Sequence, residues 1–195
     1  MPHSSRATRK ASGIEQIRTL ADIDFSNWCP AEVATLTFVR RNDDVLLIHK
    51  LRGHGAGKVN APGGKVDAGE SPRIAAARET REEVGIMTAD LSCRAELRFQ
   101  DVDGTSMRGY VFVTRNFTGT PTATAEADPF WCAIAEIPYA SMWADDVLWL
   151  PRVLSGECVV AEFLMRDDQV EAHRIVTVAE ERLAELAQQT QGVAS

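Results

Sequence analysis

The apolar residues of this chain fall mostly in short blocks set off by turn residues, a pattern that predicts strands more often than helices. Residues 34–39 and 45–48 read as two strands, and Asn42-Asp43-Asp44 between them is turn chemistry, so the pair predicts a hairpin. Further strands are predicted at 93–102 and 107–115, joined by Asp103-Gly104, and again at 130–134 and 158–165. Helical spacing marks 147–154 and 178–189, the latter amphipathic with Val178, Leu183 and Leu186 inward, and a short helix is predicted around 14–20. One more helix has explicit ends. Ser71 suits an N-cap, Pro72 the first helical position, where a missing N–H costs nothing, and Gly85 a C-cap. Just before it, residues 52–64 hold five glycines and one proline, a loop that lets backbone approach something closely. A mixed sheet with few helices predicts the α/β class.

Composition narrows the picture without naming a function. A length of 195 residues with 45% hydrophobic and 25% charged residues suits one folded domain rather than a disordered or fibrous chain. We expect residues 1–33 to be an N-terminal extension, partly disordered, and 34–195 to be the domain. The net charge of -7 argues against a nucleic-acid polymer as partner, since phosphate-backbone binding needs an excess of Lys and Arg. An anionic small molecule would then need cations beside it. Cys29, Cys93, Cys132 and Cys158 form no CxxC pair, so neither zinc nor a disulfide framework is indicated and reduced thiols are expected. No apolar stretch approaches the 18 or so residues of a membrane span. Met1–Ser12 is basic, Ser-rich and free of acid, which fits a solvated tail and is also how an organelle transit peptide looks. The cytoplasm is the expected compartment, and monomer and dimer stay open.

The chemistry concentrates in the helix after Ser71. Glu79, Glu82 and Glu83 stand at i, i+3 and i+4, on one face, with Ile74, Ala77 and Val84 on the face expected to pack on the sheet. Three crowded carboxylates repel unless cations sit among them, and hard oxygen ligands suit Mg2+ or Mn2+. A solvated acidic face paired with Arg78 and Arg81 is the plain alternative. The surrounding spacing decides between them: Gly64, Glu70, Arg78, Glu79, Glu82, Glu83, Gly85 and Ile86 stand at the intervals G-x5-E-x7-R-E-U-x-E-E-x-G-U, with U a bulky apolar residue. On these residues the chain resembles the Nudix hydrolases. Thr80 at the first U position is the one departure, and it touches packing rather than metal binding.

The resemblance implies an α/β/α sandwich in which the box forms a loop-helix-loop. It implies Glu79, Glu82 and Glu83 as metal ligands with the Gly63 carbonyl, Arg78 as the residue that orients a glutamate, and Glu82 or Glu83 as the base. Bound metal would neutralise a phosphate chain and lower the pKa of a water that attacks phosphorus.

Outside the box, the run from Arg52 to Asn60 and the segment Met142-Trp143-Ala144-Asp145-Asp146 with Trp149 are similar to the MutT-homologue branch that hydrolyses oxidised purine nucleoside triphosphates. That similarity runs over residues 34–176 and implies a base pocket of Asn60, Trp143, Asp145 and Asp146 with Lys50 close by. It also implies substrate contacts from Thr35, Gly64 and Lys65, and Glu126 as a further ligand or base. The physics is coherent: an aromatic face stacks a purine, an amide reads its edge, and two adjacent carboxylates sharing one proton can both donate and accept. Plainer readings exist for each residue. Asp145 or Asp146 could cap helix 147–154, Asn60 could fix a turn, Lys50 could be a strand-end charge, and His54 a surface residue. His54 and Val59 stand where mammalian members have aromatic residues, which is expected to remove stacking or packing at the pocket mouth. Other expected outcomes are a nucleoside diphosphate derivative such as ADP-ribose as substrate, or a non-catalytic nucleotide sensor.

Overall fold

A computed structural model describes residues 17–190 of the chain. The expected tail, the transit-peptide reading of Met1–Ser12 and the start of the helix expected at 14–20 lie outside them. Within them, the helical residues of that region are a 3-10 turn at Leu20–Asp22.

The strands are β1 (Glu32–Arg41), β2 (Asp44–Lys50), β3 (Val59–Asn60), β4 (Met87–Ala89), β5 (Ser92–Asp101), β6 (Ser106–Thr114), β7 (Asn116–Thr118), β8 (Ala127–Ala133), β9 (Val159–Arg166) and β10 (Gln169–Thr177). The helices are α1 (Pro72–Val84), α2 (Asp146–Leu154) and α3 (Glu180–Leu186). The main sheet runs β10-β9-β5-β6-β1-β2-β3 and is mixed: β1 lies parallel to β6 and β5 parallel to β9, while the remaining neighbours are antiparallel. The predicted β1–β2 hairpin forms, with Arg41 opposite Asp44, and β2 then pairs with β8 along its whole length.

The two faces of the sheet carry different layers. Phe38, Leu97, Val111 and Phe163 pack under Trp149, Leu150 and Val153 of α2. On the other face Cys93, Tyr110, Phe112 and Val160 pack under Ala76 of α1 and Leu183 of α3. The fold is therefore the α/β/α sandwich. Trp149 is fully buried and meets Phe38 edge-on at 6.0 Å and 72°, a pairing worth about 0.5–1.5 kcal/mol beyond its buried area.

Helix α1 begins and ends as its residues dictate. Ser71 Oγ accepts from Ile74 N, Pro72 opens the helix, and Gly85 closes it at φ 75°. The packing face is the expected one at Val84 and Ala77 but not at Ile74. Ile74 is 60% exposed, and the helix is seated by Pro72, Ala75, Ala76, Thr80 and Val84. Small residues let the helix lie close to β1, so its apolar pattern is a poor guide to its inner face. Thr80 is fully buried at the departing box position, and its hydroxyl donates to the Ala76 carbonyl at 2.7 Å, which satisfies it within the helix.

Candidate active site

The loop between β3 and α1 runs beside β1 as an irregular edge strand. Thr37 N donates to Pro62 O, Thr35 N to Gly64 O, and Val66 N to Val33 O. This approach is so close that a Cβ on Gly63 would run into the Thr35 carbonyl, and one on Gly64 into the carboxylate of Glu79. The two glycines therefore bring backbone up against the acidic face of α1. The Gly63 carbonyl accepts no hydrogen bond among the described residues.

The three box glutamates share a face but not an environment. Glu83 is 2% exposed; one carboxylate oxygen is paired with Lys50 Nζ and the other accepts from Gly63 N at 3.0 Å. Glu79 is 17% exposed and Glu82 52% exposed, and Arg78 bonds both, at 2.7 and 3.2 Å. Arg78 also grips Glu70 through Nε and Nη2 and donates to the Lys65 carbonyl. Glu70 first and then Glu79 hold its guanidinium more firmly protonated than usual, against the opposing effect of burial. Burial pushes the Glu79 carboxyl up, Arg78 opposes this, and the charges of Glu83 and Glu82 add to the rise.

As these side chains stand, no three acids among the described residues converge on one ion. The donor set nevertheless fits a hard divalent cation: three clustered carboxylates whose charges repel, and a backbone carbonyl without a donor, held together by two glycines. Lys50 and Arg78 supply the neutralising charge in the arrangement described here.

A cleft of about 780 Å³ opens from this cluster. Thr35, Lys50, Asn60, Gly63, Gly64, Lys65, Glu79, Glu126, Trp143, Asp145 and Asp146 all line it, so all but three of the site residues read from the sequence meet in one cavity. Arg78, Glu82 and Glu83 are outside its lining, on α1. Apolar side chains of the sheet, Leu97, Phe99, Met107 and Met165, form a wall that the sequence reading missed. The alternation of Ala95, Leu97 and Phe99 on β5 was the available signal.

At the far end of the cleft Asp145 and Asp146 are both buried. Asp145 Oδ2 accepts from the indole Nε1 of Trp149 at 2.9 Å, and Asp146 Oδ2 accepts from Trp143 N at 3.0 Å. Asp145 occupies the N-cap position of α2 without a side-chain cap bond, so neither carboxylate serves as the helix cap. Burial raises both. Asp146, facing the charge of Asp145 as well, is pushed up to about 8, against the opposing pull of the Trp143 N–H and Lys58. The pair thus holds protons more tightly than free carboxyls do, and one proton on it sets a donor beside an acceptor.

The remaining candidates divide. Asn60 does fix its turn, Oδ1 accepting from Ala61 N, which leaves its Nδ2 without a partner among the described residues. Thr35 Oγ1 is likewise buried and unpartnered against the cleft. Lys50, at the end of β2, lines the cleft with Asn60 and is also paired with Glu83 of α1. Lys65 pairs with Glu32 at the rim at 2.6 Å. Glu126 is exposed at the mouth, its backbone fixed by Leu51 N and Thr124 Oγ1. His54 does not remove stacking: its ring lies on Trp143 at 4.9 Å and 17°, with Lys58 Nζ 4.5 Å from the same indole. Val59 packs into the main core. The expected loss at the mouth is therefore replaced by an imidazole stack.

Residues 30–153 match the NUDIX domain, so the chain belongs to the Nudix family and is a hydrolase acting on phosphoric anhydride bonds. Members of the family generally use a divalent metal. The chain is 36% identical over 141 residues to the oxidized purine nucleoside triphosphate hydrolase of Danio rerio, covering 72% of this chain and 90% of that protein. It is 35% identical over 134 residues to the protein of that description from Mus musculus, covering 68% and 86%. Among solved structures it superposes on the MutT protein of Bacillus halodurans with a TM-score of 0.67 at 25% identity, covering 74% of this chain and 97% of that one.

Proposed function

We propose that this chain hydrolyses oxidised purine nucleoside triphosphates such as 8-oxo-dGTP, releasing the monophosphate and pyrophosphate, and so sanitises the cytoplasmic nucleotide pool. The observation that carries the reading is the buried Asp145–Asp146 pair lining the cleft with Trp143 and the free amide of Asn60, its carboxyls both raised by burial. An 8-oxo purine differs from its parent in the donor and acceptor pattern of its edge, which a one-proton carboxylate pair is suited to read. The relatives named above support the substrate class. The charge of -7 favours a free nucleotide over a polymer. Among the described residues no helix is long and apolar enough to cross a membrane.

Glu79, Glu82, Glu83 and the Gly63 carbonyl would hold Mg2+, with Mn2+ as a substitute. When bound, the metal supplies neutralisation of the phosphate chain and a water of lowered pKa. Arg78 orients Glu70, Glu79 and Glu82 from behind and does not line the cleft. Thr35 Oγ1, Lys65 and the backbone of Gly64 are placed to contact substrate, and Glu126 stands at the mouth as a further acid. The base is one of Glu82, Glu83 and Glu126; it takes the proton of the attacking water as oxygen bonds to phosphorus and pyrophosphate leaves. The domain assignment, 34–195 with 1–33 as an extension, is part of this proposal.

Release of pyrophosphate and monophosphate from 8-oxo-dGTP in magnesium tests the reading. Wild type should turn over, and Glu82→Gln or Glu83→Gln should lose about 10²- to 10⁴-fold when it removes the base. Equal slow rates for the wild type and both variants would refute it.

A further inference from the structure

Residues 25–32 cross the face of the sheet that α1 and α3 leave open and end at the cleft. The Phe25 and Trp28 rings meet at 5.6 Å with their planes tilted by 59°, and Arg108 lies 5.4 Å from the Trp28 ring. Phe25 O accepts from Arg98, whose guanidinium is paired with the buried Glu96. This seat fixes the segment on β5 and β6, and three polar contacts then run from it to the two sides of the cleft.

The first is a relay. Trp28 Nε1 donates to Gln100 Oε1 at 2.9 Å, and Gln100 Nε2 donates in turn to the carbonyls of Asp101 and Thr105 at 3.1 and 3.0 Å. Gln100 is buried, so its amide has no competing water and its orientation is set by these three bonds. The second contact is Ala31 N to Ser106 Oγ at 3.0 Å. Both end on the β5–β6 turn, and Asp101, Thr105, Ser106 and Met107 of that hairpin line the cleft. The third contact reaches the opposite side, where Glu32 pairs with Lys65, the residue following Gly64.

We propose that residues 28–32 act as a strap that ties the β5–β6 hairpin to the glycine loop across the cleft. Trp28 and Gln100 are its positioning residues, setting the hairpin wall against which the nucleotide binds. The inference rests on the cleft being the nucleotide site. The strap holds the width of the cleft and takes no part in phosphorus chemistry, so it acts on substrate affinity and leaves the turnover step alone.

Two variants test it. Trp28→Phe keeps an aromatic ring between Phe25 and Arg108 and removes the N–H together with the smaller ring of the indole; Gln100→Met keeps the volume and the whole of Trp28 and removes the relay. In both, amide hydrogen exchange over residues 101–107 should quicken about three- to tenfold, the factor one ordinary hydrogen bond is worth, while exchange in α1 and α2 stays as in wild type. KM should rise by a similar factor with kcat within about twofold, and the double variant should add little to either single one. Unchanged exchange at 101–107 overturns the strap whether or not the protein turns over the expected substrate. Faster exchange with unchanged KM overturns its role in binding. Wild-type inactivity toward nucleoside triphosphates would instead strike the enzymatic reading, with the exchange result still deciding the strap.

Discussion

Trp149 donates its indole N–H to Asp145 Oδ2 at 2.9 Å while its ring is buried against Phe38, so the carboxylate pair of the cleft is anchored directly to the hydrophobic core. The anchor holds Asp145 as an acceptor of the indole N–H, and burial together with the charge of Asp145 pushes Asp146 up to about 8. Between the ordinary carboxylate range and about pH 8 the folded chain keeps a proton that the unfolded chain has released. Folding stability therefore falls as the pH rises across that window. Thermal unfolding from pH 5 to pH 8.5 should show a declining Tm in wild type and a flatter profile in Asp146→Asn. A wild-type Tm that rises through the same window would contradict the protonated pair.

Lys50 is the cationic partner of the buried Glu83, so its removal exposes what a metal would replace. Lys50→Met should destabilise the metal-free protein by up to about 3–5 kcal/mol, because a buried carboxylate loses its counter-charge. Added Mg2+ should recover more stability in the variant than it adds to wild type. Tm measured with EDTA and with millimolar Mg2+ checks this, and equal magnesium shifts in both proteins would separate Lys50 from the metal site.

Gly63 and Gly64 are adjacent but constrained by different neighbours. A Cβ on Gly63 meets the Thr35 backbone, which cannot yield without breaking the edge of β1, so Gly63→Ala should cost at least about 1–3 kcal/mol in urea unfolding. A Cβ on Gly64 meets the Glu79 carboxylate, the free end of a flexible side chain. Gly64→Ala should therefore fold near wild-type stability and lose activity and metal affinity. Comparable destabilisation in both would show that the Glu79 side chain is as fixed as backbone.

How much of this was legible follows from where each signal resides. The ends of α1 could be read because Ser71, Pro72 and Gly85 act locally, and the spacing of the box residues follows from one helix and one loop. The inner face of α1 could not, since Ala75, Ala76 and Thr80 seat it and the conspicuous Ile74 faces solvent. Strand β10 escaped because it is an edge strand with mostly exposed positions, entered through Asp167 and Asp168 at positive φ. The pairing of Lys50 with Glu83 joins residues 33 apart and depends on β2 ending beneath α1, which no local pattern encodes. The stack of His54 on Trp143 brings two loops together, so substitution at position 54 read as a loss until the partner ring was in place.

The central claim is that Asp145 and Asp146 read an oxidised purine while the α1 carboxylates serve any triphosphate. The most direct test is kcat/KM for 8-oxo-dGTP, 2-oxo-dATP, dGTP and ADP-ribose, in wild type and in Asp145→Asn, at saturating Mg2+. Wild type should favour the oxidised purines over dGTP and ADP-ribose, and Asp145→Asn should collapse that preference by about 10-fold or more, the worth of one charged hydrogen bond, with metal affinity unchanged. An equal loss on every substrate would mark Asp145 as structural and contradict the claim.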